Sequence, residues 1–274
     1  MGRILRPDPE GGWHHVMNRG AGRRDIFRHA GDARRFLDLV GQSHHLYGTE
    51  VHAFCLMPNH FHLLLHCANG GISEFMHRVG SMYTRSVNDS IGSDGPIFRG
   101  RFRSILCTTP SYVDNVGRYI HRNPADLQPS APLSSYRWSS YAAYLGLVAR
   151  PNWLNTSVLL DWHGGRAGMR DFVEGDSSTS VPGTDLAVWQ WAIETAIAEQ
   201  DISETEVSSR NLTRTITLGI AERLGGEVGQ ELLSSLPFPN NKARNSAATR
   251  VRKRLRAGET DLHLMIERAI GLAA

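Results

Sequence analysis

The run Leu56-Met57-Pro58-Asn59-His60-Phe61-His62-Leu63-Leu64-Leu65 decides both the fold and the chemistry of this 274-residue chain. Its central Pro-Asn pair separates two apolar segments, which predicts two antiparallel strands joined by a short break. Successive side chains of a strand point to opposite faces, so His60 and His62 share one face while Phe61, Leu63 and Leu65 line the other. The apolar face can enter a core, and two adjacent imidazoles suit a divalent metal ion. Because many strand histidines are only hydrogen-bonded, the pair alone leaves both interpretations open.

The segments around this run predict the order β-α-β-β-α-β followed by a third helix, which is the split βαβ arrangement of ferredoxin-like folds. We therefore predict an α+β fold with an antiparallel sheet of four to five strands, two helices on one sheet face, and the histidine face left for a ligand or the third helix. Asp32 is the predicted N-cap of the first helix, and Thr109 or Ser111 that of the third. The predicted strands are about 12–18, 51–57, 60–67 and 97–106, and the predicted helices about 32–47, 72–90 and 110–123.

The character of the sequence changes near residue 150. We predict a catalytic domain over residues 1–148, a linker over 149–183 that ends in a Ser/Thr/Gly/Pro-rich stretch, and a mostly helical C-terminal region over 184–274. Residues 242–256 of that region carry seven basic side chains and no acidic one. This segment is equally consistent with a DNA-binding helix and with a solvated helix face.

Composition limits the class of protein. Apolar residues make up 41% of the chain, and no apolar run approaches the ~20 residues that span a bilayer. We expect a soluble protein with no membrane partner and no secretion signal. Cys55, Cys67 and Cys107 form no Cys-x-x-Cys pair, which indicates reduced core thiols and a cytoplasmic location.

The net charge of +3 is unevenly distributed. Residues 1–150 contain 17 arginines, no lysine and 11 acidic residues, a net charge of +6, whereas the remainder has a net charge of −3. A guanidinium is a planar fork that matches phosphate and stacks on bases, so an all-arginine basic half favours a nucleic-acid partner. Genomic base composition explains the same bias equally well.

The third predicted helix contains the sequence Arg118-Tyr119-Ile120-His121-Arg122-Asn123-Pro124. Positions i and i+4 lie on the same helix face, so Tyr119 and Asn123 point together. Asn123 offers a carbonyl oxygen, an acceptable third ligand beside two imidazoles, and Tyr119 offers a phenol. His121 lies roughly opposite Tyr119 around the helix, which argues against a role as the base.

Taken in order, these motifs resemble a known family. The residues 56–62, the sequence Phe98-Arg99-Gly100-Arg101-Phe102 and residues 119–124 are similar to the IS200-like Y1 transposases, and most similar to the REP-associated tyrosine transposases. The opening Asn18-Arg19-Gly20 and the closing Trp138-Ser139-Ser140-Tyr141 match as well. The resemblance covers roughly residues 10–146.

The resemblance implies a transposase of the HUH endonuclease superfamily. It makes His60 and His62 metal ligands and Tyr119 the catalytic nucleophile, and it puts Asn123 where relatives place a polar metal ligand. The implied cofactor is Mg²⁺ or Mn²⁺. The implied reaction is cleavage and rejoining of single-stranded DNA near REP-like hairpins through a 5′-phosphotyrosine link, with the protein acting as a monomer or a homodimer.

Several arginines are candidate DNA contacts by their position beside this site, and Phe98 or Phe102 is a candidate for stacking on a base. One rival function is a non-catalytic binder of hairpin DNA with the same fold. A second rival is a hydrolase that activates water, although residues 51–67 contain none of the carboxylates it would need. The candidate arginines are Arg19, Arg23, Arg24, Arg99, Arg101, Arg103, Arg118 and Arg122.

Overall fold

The computed structural model describes residues 7–175, 186–199, 209–224, 226–236, 238, 241–257 and 260–273. The chain divides into two compact units, Met1–Gly175 and Asp176–Ala274. The first unit contains the four strands and six of the helices found in the described ranges. They are β1 (Gly12–Arg19), α1 (Ala30–Tyr47), β2 (Glu50–Met57), β3 (His60–Cys67), α2 (Ile72–Ile91), β4 (Arg103–Cys107), α3 (Pro110–Arg122), α4 (Tyr141–Tyr144), α5 (Ser157–Trp162) and α6 (Arg166–Glu174).

The strands form one antiparallel sheet in the order β2-β3-β1-β4. This is the strand order of a split βαβ unit, so the predicted α+β fold is confirmed, with four strands among the described residues. In the register, Met17 of β1 lies opposite His62 of β3, and Arg19 lies opposite His60. Directly opposed residues of an antiparallel pair share a sheet face, so the register fixes which β1 side chains stand beside the histidines.

The apolar face of the sheet carries the main core under α1 and α2. Phe61, the residue between the two histidines, is buried against Phe36 of α1, with ring centroids 4.7 Å apart. Phe36 in turn meets the ring of Tyr83 from α2 at 5.3 Å. Burial of these rings removes a large apolar area from water, and it anchors the histidine strand from behind.

The opposite, histidine-bearing face is covered by α3, one of the two alternatives predicted from the sequence. Thr109 caps this helix by accepting a hydrogen bond from the backbone N–H of Tyr112, as predicted, and Pro110 occupies the first turn. Gly117 allows a close approach, because a Cβ atom there would lie 2.9 Å from Leu159 Cδ1 of α5. The helix ends at Arg122, just before Asn123 and Pro124.

The predicted N-cap of α1 is wrong. Asp32 is not the N-cap of α1: His29 occupies that position, and Asp32 lies in the first turn, where its carboxylate accepts hydrogen bonds from the backbone N–H groups of Arg28 and His29. The carboxylate caps the helix from inside, as the acidic partner of a capping box does. The predicted end at Gly48 is confirmed, with φ of 67°.

The fourth strand is shorter than predicted, because β4 begins only at Arg103. Phe98 forms a single bridge with Gly20 and packs against the rings of Phe61 and Tyr83. The apolar alternation before residue 103 therefore reflects loop side chains that pack on the core. Arg101 lies outside the strand, although the predicted strand includes it. Phe98 is occupied by core packing rather than directed to a base.

The described part of the second unit is helical, in agreement with the predicted C-terminal region. Within it, α8 packs against α10 through a small apolar cluster of Leu218, Ala247, Ala248 and Val251. No helix of the described ranges is both long enough and apolar enough to cross a membrane. The helices are α7 (Leu186–Glu199), α8 (Ser209–Leu224), α9 (Gly226–Ser235), α10 (Asn241–Arg256) and α11 (Thr260–Ala273).

The predicted linker, residues 149–183, contains α5 and α6 in its described part. The Ser/Thr/Gly/Pro-rich stretch lies almost entirely in 176–183, outside the described residues, and the domain boundaries stay a prediction. All three cysteines are buried, in agreement with the predicted core position.

Candidate active site

Four side chains singled out from the sequence come together between β3 and α3. The hydroxyl oxygen of Tyr119 lies 3.4 Å from Nε2 of His62, and Oδ1 of Asn123 lies 3.4 Å from Nε2 of His60. The two imidazole rings are neighbours, with centroids 5.1 Å apart. The strand period supplies the two histidines, and the i, i+4 spacing of the helix supplies the other two groups.

The hydrogen bonds around His60 turn two lone pairs toward one another. Nδ1 of His60 lies 2.7 Å from Oδ1 of Asn59, whose amide nitrogen donates to the Arg23 carbonyl. A carbonyl oxygen only accepts, so Nδ1 carries the hydrogen and Nε2 of the neutral ring is an acceptor. The amide nitrogen of Asn123 donates to the Tyr119 carbonyl, which leaves its oxygen facing His60.

In a neutral ring, Nε2 of His60 and Oδ1 of Asn123 are both acceptors, so the 3.4 Å contact is favourable only with a cation between them, either a proton on Nε2 or a metal ion. A divalent metal ion bound to both would be such a cation: the amide oxygen suits Mg²⁺ or Mn²⁺, whereas the two imidazole nitrogens suit softer ions such as zinc. The residues present therefore fit the divalent metal that the sequence predicts. Asn59 would support the ion from outside, by fixing the tautomer and orientation of His60.

His15 is a further member of the site, which the sequence analysis did not single out. It lies on β1 two residues from Met17, which puts it diagonally beside His62, and its Nε2 is 3.0 Å from Nδ1 of His62. The ring of His15 also meets the ring of Tyr119 edge-on at 5.6 Å. His15 thus holds one nitrogen of His62 while the other nitrogen faces the phenol.

The side chains inside this cluster are shielded from solvent. His15 is fully buried, and His62, Asn123 and Tyr119 are at most 7% exposed. Burial lowers the pKa of His15 to about 3, so its ring is neutral at physiological pH. A neutral ring can accept a hydrogen from Nδ1 of His62, which leaves the lone pair of His62 Nε2 directed at the site.

His121 points away from this cluster, in agreement with the sequence analysis. Its Nε2 lies 2.9 Å from the hydroxyl oxygen of Ser140, and its ring is packed among Tyr141 and Tyr144. Tyr141 and Tyr144 belong to the core. Burial lowers the pKa of His121 to about 3.

Six of the eight candidate arginines lie on the side of the site where His60 is partly exposed. Arg19 pairs with His60 across the sheet, and the loop that carries Arg99 is joined to it by a bond from the Arg99 N–H to the Arg19 carbonyl. Arg103 lies opposite Met17 and therefore on the histidine face, where its side chain is exposed. Arg23, Arg24, Arg99 and Arg101 are exposed as well.

Arg118 and Arg122 have a different environment. The guanidinium of Arg118 donates to the carbonyls of Phe172 and Gly175, and that of Arg122 donates to the carbonyl of Val173. These bonds satisfy the free carbonyls at the C-terminal end of α6, where positive charge is favoured. The structure thus provides both arginines with a structural role that the sequence analysis did not foresee.

The buried histidines make a prediction about pH and stability. In the unfolded chain an imidazole takes up a proton below its ordinary pKa of 6.5, whereas folded His121 does so only near 3. Above the ordinary pKa of 6.5 the ring is neutral in both the folded and the unfolded chain, and its burial costs no stability. As pH falls from 6.5 toward 3, only the unfolded chain takes up the proton, and the free energy of unfolding decreases. Each such histidine lowers the free energy of unfolding by about 1.4 kcal/mol per pH unit in this window.

We expect His121→Gln, which keeps a hydrogen-bonding group beside Ser140, to make the pH dependence shallower by about that amount. Equilibrium urea unfolding of the parent and the variant at several pH values between about 7 and about 5 measures the two slopes. Equal slopes in parent and variant would contradict a neutral, buried His121.

Residues 11–123 match the family model described as "Transposase IS200 like". No curated protein matches the chain. Among solved structures, a REP-associated tyrosine transposase bound to a REP hairpin is similar over 58% of this chain and 93% of its own, with 15% identity and a TM-score of 0.47. The matched residues 11–123 hold the sheet, the histidine pair and the tyrosine helix, so this part of the chain is similar to the IS200-like Y1 transposases.

Proposed function

We propose that this protein cleaves and rejoins single-stranded DNA near hairpins, with Tyr119 as the nucleophile and a divalent metal, Mg²⁺ or Mn²⁺, held by His60, His62 and Asn123. The observation that carries the proposal is the position of the Tyr119 hydroxyl, 3.4 Å from a nitrogen of His62, in the same cluster as the facing lone pairs of His60 and Asn123. The hairpin substrate follows from the family resemblance of the motifs.

The proposed reaction is a transesterification. The Tyr119 oxygen forms a bond to phosphorus as the bond from phosphorus to the 3′ oxygen breaks. The phenol gives up one proton and the leaving 3′ oxygen takes up one, so the exchange consumes none. A bound metal ion would offset negative charge on the phosphate oxygens. The phosphodiester energy is retained in the phosphotyrosine, so a second 3′-hydroxyl can reverse the step without a nucleotide cofactor.

The chain positions the nucleophile before the substrate arrives. Tyr119 is buried except for 7% of its surface, and the rings of His15 and His62 hold it edge-on. Holding two reacting groups in place accounts for a large part of catalysis in reactions of this type. Tyrosine and histidines come from one chain, which supports a monomer as the active form.

We expect Tyr119→Phe to abolish a covalent protein–DNA adduct, a loss of at least about 1,000-fold, because the variant lacks the attacking oxygen. The measurement is incubation with end-labelled hairpin DNA and Mn²⁺, followed by denaturing electrophoresis. Tyr112→Phe is the matched control, since Tyr112 is a buried tyrosine two turns earlier on the same helix, and its adduct yield should equal that of the parent.

The same assay separates the rival functions. Tight binding of the hairpin with no adduct from the parent protein would favour a non-catalytic hairpin binder. Cleavage that survives Tyr119→Phe and leaves no adduct would favour a hydrolase that activates water. Either result would overturn the proposed mechanism.

His15 should act on the metal through His62. Because outer partners of metal-bound histidines fix their tautomer, we expect His15→Ala to weaken Mn²⁺ binding by about 10- to 100-fold. Isothermal titration calorimetry measures the affinity. His14→Ala is the control, because His14 is equally buried on the same strand but faces the other side of the sheet. Equal losses in the two variants would indicate a general effect of destabilising β1 and would contradict the positioning role.

The DNA strand is proposed to run across the exposed arginines beside His60. We expect Arg103→Ala to weaken hairpin binding and to reduce the slope of log affinity against log salt by about 1, because one phosphate contact is lost. Fluorescence anisotropy at several salt concentrations measures both quantities. The exposed Arg34, on α1 at the other sheet face, supplies the control Arg34→Ala, whose slope should not change. An unchanged slope in Arg103→Ala would exclude Arg103 from the DNA path.

The second unit is proposed to add a further DNA contact through α10. Arg250, Arg252, Lys253, Arg254 and Arg256 are all exposed on this helix, while Ala247, Ala248 and Val251 bury its other face. A helix with one apolar face in a core and one basic face in solvent suits binding to a phosphate backbone.

A further inference from the structure

A second cluster of potential metal ligands lies at the opposite end of the histidine face. It consists of Glu50 and His52 on β2 and His66 on β3, each of which offers one ligand atom within 4.8 Å of the others. His66 is four residues along β3 from His62, a distance of about 13 Å in a strand, so this cluster is separate from the candidate active site.

The strand period brings the cluster together, and an irregularity of β2 lies within it. Glu50 pairs with His66, and Glu50 and His52 are two residues apart, so regular alternation already places all three side chains on one face. Val51 pairs with Leu65 and Ala53 with Leu64, so His52 is an extra residue without a partner in the ladder, as in a β-bulge. The bulge adds Ala53 to the same face, beside Leu64.

The Glu50 carboxylate contacts both imidazoles. Its Oε2 is hydrogen-bonded to Nδ1 of His66 at 2.8 Å and lies 3.5 Å from Nε2 of His52. Two ligands of a tetrahedral zinc ion, each roughly 2.0–2.1 Å from the metal, are about 3.4 Å apart. The contact with His52 matches this spacing, and an ion would replace the hydrogen bond to His66 if those two atoms moved apart by about 0.6 Å.

His52 is the observation that points to a ligand. Its side chain is fully buried, yet neither ring nitrogen makes a hydrogen bond among the described residues. Leaving two buried polar atoms unsatisfied costs free energy, and an ion bound to one of them would remove part of that cost. The unsatisfied Nε2 faces the Glu50 carboxylate, which is the direction from which a shared ion would bind.

Trp13 and Asn155 hold the three candidate ligands in place. Trp13 lies directly opposite His66 in the register, and its ring covers both imidazoles, with centroids 4.3 Å from His52 and 4.8 Å from His66. The amide of Asn155 donates to Oε1, the second oxygen of Glu50. Such contacts fix the orientation of metal ligands, and the partly exposed Glu50 and His66 leave an entry path for an ion.

We propose that Glu50, His52 and His66 form a zinc-binding site that joins β2 to β3 and, through Asn155, to the segment before α5. Two imidazoles and one carboxylate are a ligand set that zinc accepts, with a water molecule completing the tetrahedron. At this distance from Tyr119 its role is structural, in contrast to the site of His60 and His62.

The test uses the full-length protein without an affinity tag and with His60→Ala and His62→Ala, so that the candidate active site no longer competes for metal. We expect this parent to bind a single tight zinc ion in calorimetry, to melt at a higher temperature with zinc, and to give the visible absorption of tetrahedral Co²⁺. Adding His52→Ala or His66→Ala should weaken zinc binding by at least about 100-fold and remove the Co²⁺ spectrum. Glu50→Gln, a nearly isosteric change at a partly exposed residue, should also weaken binding.

Two control variants test whether zinc binds at other histidines. His77→Ala removes an exposed histidine of α2, and His14→Ala disrupts a neighbouring group made of Asp8, His14 and Cys67. Both should bind zinc like the parent, and the Co²⁺ complex should show no thiolate charge-transfer band. A parent that binds no zinc, zinc binding that survives His52→Ala, or loss of binding in His14→Ala would overturn the proposal.

Discussion

The register between β1 and β3 is the constraint on which the candidate active site depends. With Met17 opposite His62, the side chains of His15, His62 and His60 stand on one face, and His15 reaches His62 diagonally. A slip of one residue would turn His15 into the core and bring His14 to the site. The apolar residues that alternate with these histidines, above all Phe61, are buried beneath α1 and α2, so the slip would also expose them to water. Core packing therefore enforces the geometry of the polar face.

The second constraint is the docking of α3 on that face. The helix has a cap at Thr109, a glycine where Leu159 of α5 comes close, and an end held by the contacts of Arg118 and Arg122 with the carbonyls at the end of α6. None of these residues belongs to the candidate active site, yet together they fix the position of α3 and hence the distance of Tyr119 from His62. The two arginines are examples of residues whose charge suggested a nucleic-acid contact and whose geometry serves the scaffold.

The sequence predicted what depends on local periodicity. The shared face of His60 and His62 follows from the strand period, and the pairing of Tyr119 with Asn123 follows from the helix period. The contact of His15 with His62 could not be predicted in this way, because it depends on the pairing of strands 47 residues apart. The length of β4 was missed for a related reason: alternating apolar residues before residue 103 look alike whether they pair in a ladder or pack as a loop. Asp32 was placed at the wrong cap position because a carboxylate can cap a helix from the first turn as well as from the N-cap.

The same histidine face carries two clusters of different character, and the strand between them explains why they need not interfere. Leu64, fully buried, separates His62 from His66 along β3, and it meets Ala53 across the sheet. At one end the ligand set is two imidazoles and an amide oxygen beside an exposed arginine-rich loop, an arrangement that leaves coordination positions for phosphate oxygens. At the other end a carboxylate and two imidazoles lie under a tryptophan, and the negative charge of the carboxylate adds to the attraction for a cation. The apolar layer keeps each ligand within reach of one ion only, so a single sheet face can separate a proposed catalytic metal from a proposed structural one.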